Sequence, residues 1–213
     1  MSQRGRFISL EGIEGAGKTT LVRALQTALE ARGVRTVLTR EPGGTALAER
    51  LRQIALERGS ERIDPTAETL IMFAARAIHL DNLIRPTLAA GHWVLCDRFT
   101  DATRAYQGAG RGVDAELIDR LAAAVHPDLW PDRTLVLDLP VELGLSRARQ
   151  RLGGGDRFED ESVKFHSRVR ECYRGLASSE PTRVRLIDAS GGPEQVAQHA
   201  LQALDDLLPA VRQ

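Results

Sequence analysis

The sequence predicts an α/β fold: a parallel five-stranded sheet covered by helices on both faces. Two observations predict this class. Short apolar runs typical of buried strands alternate along the chain with segments whose apolar residues recur at helical spacing. Glycine and proline mark the boundaries between these segments. The chain has 213 residues, enough to bury a core, and no internal repeat divides it, so we expect one domain over residues 1–213.

The predicted strands are short and mainly apolar, and each is followed by a turn or a helical segment. Strands joined in this way by helices are usually parallel. They are expected at "RFISLEG" (6–12), "VRTVLTR" (34–40), "WVLCD" (93–97), "TLVLDL" (134–139) and "VRLID" (184–188).

The predicted helices follow the strands. In the first, over residues 18–31, Leu21, Leu25 and Leu29 recur at helical spacing, and Gly33 ends it. Other helices are expected at about 46–58, 64–80, 114–125 and 193–208, with a further turn reaching residue 91.

The helix at 64–80 has a clear start, because Asp64 suits the N-cap and Pro65 the first helical position. From Leu70 to Leu80 it is apolar on nearly every face. Such a helix is usually buried all round, either within its own domain or by a second subunit.

Composition excludes some classes of function. The formal net charge is zero, which argues against nucleic acid or an anionic membrane as a partner. With no signal-like segment and no apolar run long enough to span a membrane, a cytoplasmic location is expected. Cys96 and Cys172 are expected to be free thiols, and no Cys/His cluster has zinc-binding spacing.

The stretch "EGIEGAGKTT" (11–20) has the G-x-x-x-x-G-K-[ST] spacing of a phosphate-binding loop between a strand and a helix. Only two of the basic residues are lysines, so Lys18 in this loop is informative. Backbone amides would cradle ATP, Lys18 would reach the β- and γ-phosphates, and Thr19 would offer a hydroxyl to Mg²⁺. The alternative is a glycine turn that only caps a helix. The predicted ATP-binding residues are Gly12, Ile13, Glu14, Gly15, Ala16, Gly17, Lys18, Thr19 and Thr20.

Several classes of protein use this loop. A regulatory GTPase normally carries an N-K-x-D motif, but Asn82 is followed by Leu83, and the "DASG" at 188–191 lies far from the switch position. A helicase or transporter ATPase would usually be larger and more basic or membrane-linked. A kinase for a small anionic acceptor therefore remains the main interpretation.

Two further segments suit such a kinase. "CDRFTDATRAYQG" (96–108) begins at the C-terminal end of a predicted strand, where α/β sheets bind ligands. Asp97 can act on Mg²⁺, directly or through water, and Arg98 can clamp a phosphate, although a strand-end ion pair is the alternative. The glycine-rich insert between arginines, at about 147–158, is expected to be a lid, or otherwise a solvated loop.

The ordered set "SLEGIEGAGKTT", "TREPGGT", "CDRF", "AYQGAGRG" and "DRFEDE" resembles the thymidylate kinase family of bacteria, with "LIDAS" fitting near the C-terminus. The resemblance implies a P-loop nucleotide kinase fold, a homodimer packed through helices, and transfer of a phosphoryl group from MgATP to dTMP. Another nucleoside or nucleoside monophosphate kinase is the alternative within this class.

The resemblance also implies roles for individual residues. Glu14 would face the sugar and phosphate of the acceptor and help to hold Arg98. Phe73 would stack on thymine, with a core residue of its apolar helix as the alternative, and Arg76 would bond the carbonyl edge of the base. The remaining acceptor contacts would come from Thr103, Tyr106 and Gln107, with Tyr106 crowding the 2′ position.

The family uses either an arginine in the phosphate loop or arginines in the lid. Here Gly15 follows Glu14, so the lid is expected to supply the catalytic cation. Arg149 and Arg151 suit this role best, and Arg157 could instead fix the acceptor. The full set of candidates is Arg147, Arg149, Arg151 and Arg157.

Overall fold

A central parallel sheet organises the chain. The structure, a computed structural model, describes residues 4–57, 63–151 and 162–208. The strands are β1 Phe7–Glu11, β2 Thr36–Arg40, β3 Trp93–Asp97, β4 Arg133–Asp138 and β5 Val184–Asp188.

All neighbouring strands pair in parallel, in the order β2-β3-β1-β4-β5. The strand that begins the sequence is therefore at the centre. Leu10 of β1 lies opposite Asp97 of β3, so the loops that follow these two strands leave the same edge of the sheet side by side. This arrangement confirms the predicted fold class.

Helices connect the strands: α1 Lys18–Glu30, α2 Ala46–Leu56, α3 Pro65–His79, α4 Arg85–Ala89, α5 Thr100–Thr103, α6 Ala115–Val125, α7 Val141–Arg151, α8 Val163–Ser179 and α9 Pro193–Gln202. Asp64 caps α3 as predicted, because its carboxylate accepts from the amides of Thr66 and Ala67. Two π-helical segments were not predicted: 80–84, between α3 and α4, and 104–110, which continues α5.

The core lies on both faces of the sheet because strand side chains alternate. Phe7 packs on one face with Leu80, Ile84 and Leu88 of the α3–α4 region. The opposite face has a separate apolar cluster, which includes Ile8 and Leu10 of β1, Leu25 and Leu29 of α1, and Val196 and Ala200 of α9.

In the single chain α3 is not buried all round, so burial by its own domain alone is ruled out, and burial of the remaining face by a second subunit stays a prediction. Leu70 of α3 is 50% exposed, and Leu47 and Ile54 of the adjacent α2 are 50% and 49% exposed. Met72 and Arg76 of α3 are buried. The helix therefore presents one face to its own domain and leaves apolar side chains on another.

The predicted lid, at about 147–158, overlaps the described residues only at 147–151. Residues 147–151 form the end of α7, not a loop, and the rest of the predicted lid lies outside the described residues. Cys96 and Cys172 are free thiols, as expected. Within the described ranges, none of the helices has the length and apolar character that crossing a membrane requires.

Candidate active site

The phosphate loop connects β1 to α1 and depends on its glycines. Gly12 has φ 133°, and a Cβ there would lie 2.7 Å from the Leu137 carbonyl oxygen. Gly15 has φ 72°, and a Cβ there would collide with the carbonyl of Gly144 in α7. Position 15 therefore has no room for a side chain in this conformation, which agrees with the absence of an arginine from the loop.

Lys18 begins α1 and is buried within the loop that it follows. Its Nζ donates to the carbonyl oxygens of Gly12 at 2.9 Å and Ile13 at 3.1 Å. Burial and the nearby Arg98 lower its pKa to about 8, although Asp97 and other carboxylates oppose the shift. The ammonium thus lies at the loop, where it can exchange carbonyl oxygens for phosphate oxygens.

Two cavities lie on either side of the loop. The Glu14 cavity is lined by Glu14, Glu41, Met72, Arg76, Arg98 and Tyr106, among others. The Arg147 cavity is lined by Gly15, Gly17, Thr20, Leu21, Arg147 and Ala189, among others. One loop therefore presents residues to two separate spaces, with Glu14 facing the first and its glycines facing the second.

Glu14 is held on several sides. Its Oε1 accepts from Arg98 at 2.8 Å and from the Tyr106 hydroxyl at 2.9 Å, and Oε2 lies 3.2 Å from His166 Nδ1. Burial alone would raise the pKa of this carboxyl, but Arg98, His166 and Lys18 outweigh it and lower the pKa to about 2. Glu14 is therefore a charged carboxylate in the wall of the Glu14 cavity.

Asp97 and Arg98 leave the end of β3 beside this loop. Arg98 has φ 73°, a left-handed conformation that is uncommon for a residue other than glycine. Its guanidinium carbon lies 4.5 Å from the centroid of the Tyr106 ring. Asp97 Oδ1 is buried and has no hydrogen-bond partner among the described residues.

Arg76 of α3 is fixed by a buried network that sequence reasoning missed. Its Nε donates to Glu41 Oε2 at 2.7 Å and its Nη2 donates to the Thr103 hydroxyl at 3.0 Å. Glu41 Oε1 lies 3.1 Å from His79 Nδ1, and His79 Nε2 lies 2.7 Å from the Thr39 hydroxyl. Despite burial, Arg76 and His79 lower the pKa of Glu41, which is therefore an anion.

Phe73 does not line the Glu14 cavity, so its predicted stacking on thymine gains no support from this structure and stays a prediction. Phe73 packs with Ile118 and Ala122 of α6, and the Arg76 guanidinium lies over its ring at 4.6 Å. Met72, four residues before Arg76, lines the cavity instead. Phe73, three residues before Arg76, and Met72, four residues before it, both lie near Arg76 on the helix, but only Met72 lines the cavity.

The other predicted acceptor residues do line this cavity. Thr103 and Gln107 lie along its wall with Arg76 and Tyr106. Gln107 is anchored by a 2.8 Å hydrogen bond from its Nε2 to the buried Glu68. Thr19, the predicted magnesium ligand, is exposed at the start of α1.

The structure describes the side chains of two predicted lid arginines, Arg147 and Arg149, and their surroundings differ. Arg147 donates to the carbonyl oxygens of Ala189 at 2.8 Å and Ser190 at 3.1 Å, which fixes it at the wall of the Arg147 cavity. Arg149 is exposed on α7. The side chain of Arg151 and all of Arg157 lie outside the described residues, so their predicted roles stay predictions.

A parallel sheet in this strand order, with a glycine loop and its lysine between two cavities, defines a P-loop nucleotide kinase. The model of the thymidylate kinase family matches residues 10–200, and the chain belongs to this family. A thymidylate kinase of Pseudomonas syringae pv. tomato is 54% identical over 205 residues, which cover 96% of this chain and 95% of that protein.

Other relatives agree with this assignment. A thymidylate kinase of Bradyrhizobium diazoefficiens is 49% identical over 211 residues, covering 98% of this chain and 92% of that protein. The crystal structure of thymidylate kinase from Ehrlichia chaffeensis has a TM-score of 0.78 and 33% identity, and the match covers 95% of this chain and all of that one.

Proposed function

We propose that the chain transfers the γ-phosphoryl group of MgATP to the 5′-phosphate of dTMP, giving ADP and dTDP for dTTP synthesis. Family membership supports the reaction. The observation that carries the assignment of the site is the position of Glu14, a loop carboxylate that faces one cavity with Arg98 while the loop glycines border the other. In the Glu14 cavity Arg98 offers a cation for a monophosphate and Glu14 an acceptor for a sugar hydroxyl, so this cavity suits dTMP. The Arg147 cavity borders the loop glycines, whose amides suit the phosphates of ATP.

The donor side relies on backbone groups. Amides of the loop and of the α1 N-terminus bind phosphate oxygens, and the helix dipole adds to this attraction. Lys18 leaves the Gly12 and Ile13 carbonyls for the β- and γ-phosphates. A lysine with a pKa near 8 is cationic at neutral pH, and phosphates stabilise that charge further.

The residues around the loop fit a magnesium ion. Asp97 offers a buried carboxylate oxygen that has no other partner among the described residues, and Thr19 offers a hydroxyl at the start of α1. Oxygen ligands of these types suit Mg²⁺. When bound, the ion would neutralise charge that develops during transfer.

On the acceptor side, Arg98 binds the 5′-phosphate and Glu14 keeps its guanidinium in place. Arg76 offers Nη1 to a base carbonyl, because Nε and Nη2 already donate to Glu41 and Thr103 and Nη1 has no partner among the described residues. Gln107 and Tyr106 complete the contacts to base and sugar, with Tyr106 restricting the 2′ position.

Positioning and charge neutralisation supply the catalysis, with no covalent intermediate. The acceptor phosphate oxygen attacks the γ-phosphorus in line with the leaving ADP. Arg98 on the acceptor side and Lys18 on the donor side neutralise charge, and Arg149 or Arg151 adds the lid cation that stabilises the transition state.

We also propose a homodimer and a cytoplasmic location. The half-exposed apolar side chains of α2 and α3, Leu47, Ile54 and Leu70, support burial against a second copy. Sedimentation velocity of the chain and of Leu70→Glu would test the interface, since a dimer should become a monomer in the variant.

The reaction is tested by ADP release, measured across dTMP, dUMP, dCMP, dAMP and dGMP at fixed MgATP. We expect the highest kcat/KM with dTMP, and a Lys18→Ala control should be inactive with every acceptor. Preference for a different monophosphate would support the alternative kinase, and ATP hydrolysis without any phosphorylated acceptor would contradict both.

A further inference from the structure

Glu11, the last residue of β1, is a fully buried carboxyl that the reaction above does not use. It immediately precedes Gly12 of the phosphate loop, yet it lines neither the Glu14 cavity nor the Arg147 cavity. Burying a carboxyl in the middle of a sheet is costly unless its oxygens are hydrogen-bonded. Its partners therefore indicate why it is there.

The first partner is the backbone that follows Arg98. The Phe99 amide donates to Glu11 Oε1 at 2.7 Å, and the Arg98 amide donates to the Leu10 carbonyl at 2.9 Å. Two consecutive residues of β1 thus bind the amides on both sides of Arg98. Because a left-handed conformation costs a non-glycine residue free energy, Arg98 keeps φ 73° only while its surroundings hold it.

The second partner is α8. The Tyr173 hydroxyl, which is also buried, donates to Glu11 Oε2 at 2.8 Å. The same helix carries His166, which contacts Glu14 on the opposite side of the loop. Glu11 therefore connects three elements: the strand that leads into the loop, the turn that presents Arg98, and α8.

Charge is not the property that these contacts need. Burial and the neighbouring Asp101 raise the pKa of Glu11 to about 8, against the lowering effects of Tyr173, Arg98 and the Phe99 amide. The neutral form is therefore favoured at neutral pH, with its proton on Oε2 donating to the Tyr173 hydroxyl, which can accept as well as donate. Its length and its hydrogen-bonding oxygens remain as the features that matter.

We propose that Glu11 is a positioning residue, which holds Arg98 in its left-handed conformation so that the guanidinium is directed at the acceptor phosphate. The proposal rests on the proposed function, because it assigns that phosphate to Arg98. ATP, bound by loop amides on the other side, should be affected much less.

Two substitutions separate reach from charge. Glu11→Gln keeps the side-chain length and an oxygen for the Phe99 amide, whereas Glu11→Asp keeps the carboxyl but is one methylene too short. We expect Glu11→Gln to stay within about threefold of wild type in kcat/KM for dTMP. Glu11→Asp should lose about 5- to 150-fold, the range for one lost buried hydrogen bond, through a higher KM and a lower kcat. Its Kd for ATP should change by less than about threefold.

A double-mutant cycle tests the route through Arg98. In an Arg98→Ala background, Glu11→Asp should cost less than about twofold further, because the group it positions is absent. If Glu11→Asp does not fold, Tyr173→Phe, which removes only a hydroxyl, should raise the KM for dTMP and leave ATP binding unchanged.

Different results would contradict different parts of the proposal. Glu11→Asp outperforming Glu11→Gln would mean that the carboxyl itself matters. Equal losses for ATP and dTMP, or additive effects with Arg98→Ala, would reduce Glu11 to a structural residue. A wild-type protein that does not phosphorylate dTMP would instead contradict the proposed function, independently of how the two variants rank.

Discussion

The substitution Glu14→Gln tests which side of the loop this carboxylate serves. One pKa unit corresponds to about 1.4 kcal/mol, so the fall from 4.5 to about 2 represents about 3 kcal/mol in favour of the charged form. Gln keeps one oxygen for Arg98 and Tyr106 but loses the charge. We therefore expect kcat/KM for dTMP to fall about 5- to 150-fold, which corresponds to about 1–3 kcal/mol of transition-state stabilisation. ATP binding should change little.

The assay compares dTMP with its 3′-deoxy analogue. If Glu14 accepts a hydrogen bond from the 3′-hydroxyl, the analogue should be a poor substrate for the wild type and should lose much less from Glu14→Gln. Titration calorimetry gives the Kd for ATP, and Glu116→Gln, at an exposed carboxylate on α6, is the matched control and should be unaffected. Weaker ATP binding together with equal losses for both acceptors would show that Glu14 serves the ATP cradle, contrary to the reasoning above.

Lys18, the lid arginines and Glu11 can each be tested by substitution. Lys18→Arg should nearly abolish turnover, because a planar guanidinium does not fit the loop; more than a tenth of wild-type kcat would contradict this role. Arg149→Ala or Arg151→Ala should lower kcat with dTMP binding little changed, because a transition-state cation of this type can be worth about 10³- to 10⁵-fold in rate. The lid assignment is wrong if even the double variant slows the chemical step less than tenfold. The raised pKa of Glu11 contributes stability that is full below pH 4.5 and is lost as pH rises through about 8. Urea unfolding should therefore show a smaller loss over that range for Glu11→Gln than for wild type, and parallel pH profiles would argue against a neutral Glu11.

The strands and the phosphate loop could be predicted because their signals are local. A buried strand shows as a short apolar run, and the loop needs glycines and a lysine at fixed spacing. The meeting of the loop with Asp97 also followed from sequence, because parallel strands bring their C-terminal ends to one edge of the sheet.

The supporting residues of the site could not be predicted, because their partners are distant in sequence. Glu41 and Arg76 are 35 residues apart, and Glu11 and Tyr173 are 162 apart. The sequence around Glu41 or around Glu11 does not indicate which distant residue it pairs with. Only the positions of α3 and α8 against the sheet bring the pairs together.

Phe73 shows a different limit. Both Met72 and Phe73 are buried residues of α3 near Arg76, and the family resemblance favoured Phe73. Which of the two faces the cavity depends on the rotation of α3 against α6, where Ile118 and Ala122 accept the phenyl ring. Helical spacing alone does not fix that rotation.

The phosphate loop is expected to separate acceptor from donor, with Glu14 on the acceptor side. A crystal structure with dTMP and a non-hydrolysable ATP analogue would locate both substrates. We expect the dTMP phosphate on Arg98 in the Glu14 cavity, and the analogue's triphosphate on the loop amides with its adenine in the Arg147 cavity. A triphosphate in contact with Glu14, or dTMP bound beside Arg147, would contradict this expectation.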